Sequence, residues 1–469
     1  MRSTPPSRNN SPHPQDVVTT RALIVWSAAA ILYMIAITGR TSFGVAGHDA
    51  ILRFQVDASR IAVFTAVQLG VYAFAQIPMG MLIDRFGPRK LLLIGAVIMG
   101  VGQILLGLTT SYGVAIGARV LIGAGDATAF LAVMRLLPYW FPLKKTPIFT
   151  QLSASIGQMG QFISAVPFLA LLQGAGWTWA FVSLGAVGIL IAIAAAVLVA
   201  DSPEYVPSSQ RNAKAKLRTR ILQPILHPTT IHLPHLHWGR RIRLRMGLRT
   251  QIRKVGSQAV CWQAFFTHGT AMLPQLIFTM LWGVPLMTMG MGLSTAQVGL
   301  LLTVNTVSSV VCGPLMGIIS ARLGQKRDLA GVVIVVFLAA AWVIFFLPSQ
   351  PRGFLAALVI NVVTAGCAPI SNYGFDYVRE DLQPAIVATG TGLGNMGGFL
   401  AGMVTAQLMG FLLDFSSETT EYQWGDFRIA WLGVLGMWGL GMVGLFFARR
   451  RRLATARPAV RYVEQSEED

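Results

Sequence analysis

An arginine stands inside the first long apolar run, in the stretch ILYMIAITGRTSFGVAG from Ile31 to Gly47. Lodging a guanidinium near the middle of a bilayer costs roughly 2.5–3.5 kcal/mol on insertion scales. Arg40 therefore needs water, an anion or a carboxylate beside it. Tyr33 lies two helical turns earlier on the same face, and Gly44, one turn later, leaves that face open. A phenol, a fixed cation and a gap can together grip a carboxylate or phosphate, because the guanidinium is a planar donor fork that is always charged. Two other fates fit the same spacing. The side chain can snorkel to the nearer headgroup layer, or it can pair with an acid on a neighbouring helix.

Asp126 occupies the middle of the fourth apolar run. A carboxylate at that depth can load and release a proton, or it can sit in a permanent ion pair with Arg40 or Arg119 of packed neighbours. Arg119 precedes it by seven residues, about 10 Å of helical rise, so each of the two is expected to find its partner on another helix. Arg135, turned away from Asp126 near the end of the run, reads as a snorkelling anchor. In the seventh run His268, Met272 and Gln275 share a face, with Thr279 a turn further on. Gln158, Asn361, Asn372 and Asn395 are further polar residues in apolar surroundings. Each can line a cavity or bond one helix to the next, the latter worth about 0.6 kcal/mol on average. The candidates for contact with a small polar ligand are thus Arg40, Tyr33, His268, Gln275, Gln158 and Asn395, with Asp126 the candidate proton carrier.

These residues need membrane helices to position them. Of 469 residues, 54% are apolar and only 12% charged, about half the charge of a soluble domain. Twelve apolar runs are long enough to span a bilayer, near 22–46, 60–83, 90–109, 113–138, 148–172, 177–200, 259–289, 296–320, 329–348, 353–377, 385–413 and 427–448. They must be helical, since lipid satisfies no free backbone N–H or C=O. The division is a polar tail (1–20), a six-helix bundle (21–200), a basic linker (201–258), a second six-helix bundle (259–448) and a tail (449–469). The tails and every second connection hold 30 of the 37 Lys and Arg residues, which predicts both termini on the cytoplasmic side of a cytoplasmic membrane. The net charge of +18 is then a record of topology and of contact with anionic lipids, not a nucleic-acid surface.

Within the linker, His232, His235 and His237 lack the ligands that would complete a zinc site, and no cofactor or metal is implied. Trp238 to Lys254 mixes Arg with Ile, Leu, Met and Trp, and reads as a basic helix lying on the membrane surface and tethering the halves. The cysteines Cys261, Cys312 and Cys367 lie in or beside apolar runs and imply no disulfide framework. No nucleophile–base pairing, nucleotide motif or phosphate-cradling loop points to an enzyme.

A repeat joins the two bundles. GMLIDRFGPRK (Gly80 to Lys90) follows the second run and GIISARLGQKR (Gly317 to Arg327) the eighth, 237 residues later. Gly80, Arg85, Gly87 and Lys90 match Gly317, Arg322, Gly324 and Arg327 in register. Gly80 lets helices approach closely and Gly87 permits a tight turn. Asp84 can cap a neighbouring helix or pair with Arg89. Arg85, Arg89 and Lys90 would hold the turn among headgroups. Ala321 replaces the acid in the second copy.

With RVLIGAGDA (Arg119 to Ala127) in the fourth run, this pattern resembles the major facilitator superfamily over all twelve runs. The resemblance implies an all-α membrane protein of two pseudo-symmetric six-helix bundles, acting as a monomeric secondary transporter with its site between them. Arg40 to Ala46, preceded by Tyr33, together with ATGTGLGNMGGFLAG (Ala388 to Gly402), is similar to the organophosphate and organic-anion branch. That branch implies Arg40 as a ligand for the substrate's anionic group. The seventh run lacks the second arginine of phosphate-exchanging members, so a singly charged organic anion fits equally. The expectation is a secondary transporter of a small organic anion, with Asp126 either coupling protons to it or held in a permanent ion pair. A ligand sensor of the same fold, or an exporter or lipid flippase, remains an alternative.

Overall fold

The computed structural model describes residues 17–56, 58–203, 247–417 and 422–455. The N-terminal residues, the linker histidines and the C-terminal QSEED lie outside them. Among the described residues there are helices and connecting turns but no strand. Ten helical runs are long and apolar enough to cross a membrane. One of these, Leu143–Leu198, holds both the fifth and sixth predicted spans and reverses at Gly176, whose φ of 81° leaves the helical region. The seventh predicted span is helical from Ala259–Ile277 and continues in wider turns to Gly290. The arrangement is consistent with twelve spans.

Local chemistry sets several boundaries. The Thr19 hydroxyl accepts from the Ala22 N–H at the start of Thr20–Val45, the first span. Ser294 and Gln297 form a reciprocal capping box at the start of Thr295–Leu323, the eighth. Gly87 and Gly324 have φ of 92° and 51° at the two repeated turns, a conformation that glycine adopts without a Cβ penalty.

The apolar core is divided in two. One cluster is built almost wholly from residues of the first six spans and a second from residues of the last six. A small third cluster, Tyr72 and Leu276 and Phe399 among its members, bridges them.

The halves meet through the repeated motif. A Cβ on Gly80 would fall 2.7 Å from the Ala388 carbonyl oxygen and the Thr389 Cα of the eleventh span, Val387–Ser416. A Cβ on Gly317 would fall 2.9 Å from the Ile148 Cα of the fifth. Each motif glycine thus seats its own helix against the opposite half. Asp84 completes the first junction as a helix cap. Its carboxylate accepts from the Ala388 and Thr389 N–H groups at 3.1 and 2.8 Å and from the Thr389 hydroxyl at 2.7 Å. A negative charge at a helix N-terminus also meets the positive end of the helix dipole.

Two expectations need correction at this junction. Asp84 pairs with Arg135 (3.2 Å), not with Arg89. Arg89 turns instead to Asp201, through its backbone N–H, and to the Ala196 carbonyl, through its guanidinium. Arg135 is not a snorkelling anchor, because its side chain is only 9% exposed and its charge is met inside the protein. In the second half, where Ala321 supplies no acid, Arg379 of the tenth span takes Asp376 from its own helix.

The linker's described helix is Leu248–Ser257. Arg249 and Arg253 face outward, while buried Gln251 donates to Asp84 (3.3 Å) and to the Thr389 hydroxyl (2.7 Å). The rest of the predicted helix, from Trp238, lies outside the described residues.

Asp84→Ala removes the cap and strands the Arg135 guanidinium. It should cost about 3–5 kcal/mol, read as a lower thermal midpoint of the purified protein. Arg89→Ala, on the exposed turn, should change stability by less than about 1 kcal/mol.

Candidate functional site

The fourth span is the keel of the N-terminal half, and its glycines position the acid. A Cβ on Gly123 would meet the Gln68 carbonyl oxygen of the second span at 2.9 Å, and one on Gly125 would meet the Met99 N of the third at 2.9 Å. Two helices therefore press on this stretch from different sides, and Asp126 is fully buried between them. On the first span, Tyr33 is fixed by Gly157 of the fifth, where no larger residue fits beside its ring.

Arg40 reaches Asp126. The pair is bidentate, Nε to Oδ2 at 2.6 Å and Nη2 to Oδ1 at 2.9 Å. The guanidinium carbon lies 4.2 Å from the centre of the Tyr72 ring and 5.5 Å from that of Phe399 in the opposite half. Snorkelling is thereby excluded, and the ion-pair alternative is the observed one. The pair does not close the space around it. The Arg40 side chain stays 11% exposed and is a wall of a cavity of about 110 Å³ between the halves.

All six ligand candidates line this one cavity: Arg40, Tyr33, Gln158, His268, Gln275 and Asn395. They come from the first, fifth, seventh and eleventh spans. Asn372 lines it as well, but Asn361 does not; it joins the seventh, eighth and tenth spans through Asn305 and Gln275. Gln275 is accordingly both a wall and a strut, with its amide 2.7 Å from Asn305 Oδ1. His268 packs on Phe375 and has Nδ1 3.2 Å from the Ser371 carbonyl. A carbonyl there accepts from Nδ1–H, which leaves Nε2 as an acceptor in the neutral ring. Nε2 has no partner among the described residues.

Two wall residues, Gln151 and Tyr72, and Gln76 behind the wall escaped the sequence reading. Gln151 bonds the Pro369 carbonyl (2.7 Å) and Asn372 (2.9 Å) across the two halves. Tyr72 and Gln76 accept from the Asn395 amide at 3.1 and 2.8 Å. Gln76 lies one turn from Gly80 and Gln151 one turn from Pro147, so proximity to the motif junctions was the available signal. These bonds, with Phe130 against Phe375, floor the cavity toward the basic end of the molecule.

Arg119 departs from expectation. It is 1% exposed and lies against the Phe43 ring at 4.6 Å. Its Nε and Nη1 find no hydrogen-bond partner among the described residues. Gln68, also on the outer side of Asp126, is likewise buried and unpartnered.

Two helical halves closed at one end around a polar, cation-bearing cavity define a carrier of small molecules through a membrane. The Major Facilitator Superfamily model matches residues 29–406, and the chain belongs to that superfamily. It is a multi-pass membrane transporter. Among similar proteins, a probable sulfoacetate transporter of Cupriavidus necator is 23% identical over 410 residues, 85% of this chain and 88% of the relative. A putative tartrate transporter of Agrobacterium vitis is 21% identical, over 83% of each chain. A solved proton:xylose symporter bound to 6-bromo-6-deoxy-D-glucose shares the fold with a TM-score of 0.68 at 14% identity, covering 93% of this chain and 97% of that one.

The two buried arginines should respond oppositely to loss of charge. Arg40→Met leaves Asp126 alone and should lower the thermal midpoint, at a cost of about 3–5 kcal/mol. Arg119→Met relieves an unmet desolvation of about 1–3 kcal/mol and should leave the midpoint unchanged or raise it.

Proposed function

We propose that the chain is a secondary transporter of a small organic anion, working by alternating access in a cytoplasmic membrane with both termini in the cytoplasm. The observation that carries this reading is the bidentate Arg40–Asp126 pair on the wall of a cavity between the halves, with the Arg40 side chain still 11% exposed. A permanent structural ion pair gains nothing from standing at a cavity. A displaceable one holds a cation ready for a passing anion. The names of the two relatives support the class, since sulfoacetate and tartrate are both small acids.

In this reading the substrate's acid group enters beside the guanidinium and then takes over the fork, competing with Asp126 for it. Tyr33 lies beside the site as a donor. Gln158, without a hydrogen bond among the described residues, faces the rest of the molecule. His268 stands on the wall beside the substrate. Asp126, fully buried and released from its cation, neutralises by taking a proton rather than staying bare. Proton and anion then travel together. The basic-end junction of Asp84 with the eleventh span must open for the cavity to face the cytoplasm.

The test is transport of labelled sulfoacetate and tartrate by the purified chain in liposomes. Arg40→Lys keeps the charge and loses the fork, and should lower uptake about 10- to 100-fold. Wild-type uptake in that variant would overturn the assignment. Asp126→Asn should abolish accumulation driven by a proton gradient while sparing counterflow; undiminished accumulation would separate Asp126 from coupling.

A further inference from the structure

A second cavity, about 560 Å³, opens at the basic end, between the fourth span of one half and the tenth and eleventh of the other. It shares no lining residue with the central cavity, and the Phe130–Phe375 contact and Arg379 against Met134 lie between the two. Its size falls in the range of about 300–1,000 Å³ usual for small-molecule sites.

The wall chemistry is one-sided. Arg135, Arg379 and Lys144 line it, and no carboxylate does. Arg135 and Arg379 each have an acid behind them, Asp84 and Asp376, yet Arg135 keeps a buried Nη1 with no partner among the described residues. Lys144 is exposed and has no ion pair there. The remaining wall is largely apolar, with Leu382, Val387 and Pro138 among its residues. A concave site with cations of one sign and low-dielectric walls focuses potential toward an anion.

We propose that this vestibule binds an anionic group on a short apolar body, the charge between Arg135 and Lys144 and the carbons against Leu382 and Val387. The bound group touches both halves and so holds the basic end closed. A soluble phosphate or carboxylate ester supplies this chemistry, and so does the headgroup of an anionic lipid. The site is independent of Arg40 and of the transported substrate.

The experiment uses the full chain in nanodiscs of phosphatidylcholine, with the thermal midpoint as readout. Butyl phosphate is titrated into the millimolar range in one arm, and phosphatidylglycerol replaces part of the lipid in the other. Ligands that bind the folded state raise the midpoint. The expected result is a rise of a few degrees in at least one arm, in the wild type and in Arg40→Lys alike. Lys144→Glu should abolish the rise and Arg135→Lys should reduce it, with the midpoints of both variants in additive-free phosphatidylcholine showing that they fold. A rise with butyl phosphate identifies a soluble anion, and a rise with phosphatidylglycerol alone identifies a lipid. No rise in either arm, or one that survives in Lys144→Glu, overturns the proposal.

Discussion

Neither Arg40 nor Asp126 can be buried alone. A bare carboxylate or guanidinium inside the protein costs several kcal/mol, and a pair repays this only with good geometry. The geometry here is good: two parallel bonds of 2.6 and 2.9 Å, with an aromatic ring beside the guanidinium. Much of the N-terminal half serves that geometry. Gly123 and Gly125 bring the second and third spans onto the fourth around Asp126. Gly157 and Gly160 bring the fifth onto the first, the helix that carries Arg40. The contact that reaches farthest is Phe399, which places a ring of the opposite half within 5.5 Å of the same guanidinium. Any event that changes the pair is therefore felt at the interface between the halves.

The two halves are related but unequal. Both motif glycines dock a helix against the opposite half, yet only the first motif retains its acid. Asp84 then gathers a helix N-terminus, Arg135 and the linker's Gln251 around one carboxylate. At the corresponding place in the second half, Asp376 serves Arg379 from within its own helix and accepts from Ser320 at 2.7 Å. The charge is conserved in kind and moved in sequence. The consequence is that one junction ties the halves together through an acid, and the other secures its arginine within a half.

The sequence made the architecture plain, because apolar runs of spanning length and the charge asymmetry of their connections follow directly from the solvent. The repeated GMLIDRFGPRK and GIISARLGQKR segments located the junctions. Arg40 stood out for the cost of placing it there. Its partner did not, since periodicity orders residues on one helix and says nothing of which helix lies opposite. Arg135 shows the same limit: its position near a span end fits an anchor, and only packing brings Asp84 to it. Gln151 and Gln76 were missed because a glutamine in a helix carries no spacing signal, and their roles arise from carbonyls and amides on the opposite half. The convergence of Tyr33, Gln158, His268, Gln275 and Asn395 on one cavity was legible from residue type alone, since a polar side chain in a membrane helix turns away from lipid.

The central claim is that a bound anion takes Arg40 from Asp126 and that the carboxylate answers by binding a proton. Proton uptake by the purified protein tests this directly. Sulfoacetate or tartrate is added in a weakly buffered solution with a pH indicator, and binding is followed in parallel. The account predicts uptake of about one proton per anion bound in the wild type, and none in Asp126→Asn. Saturable binding by the wild type with no proton taken up would contradict it.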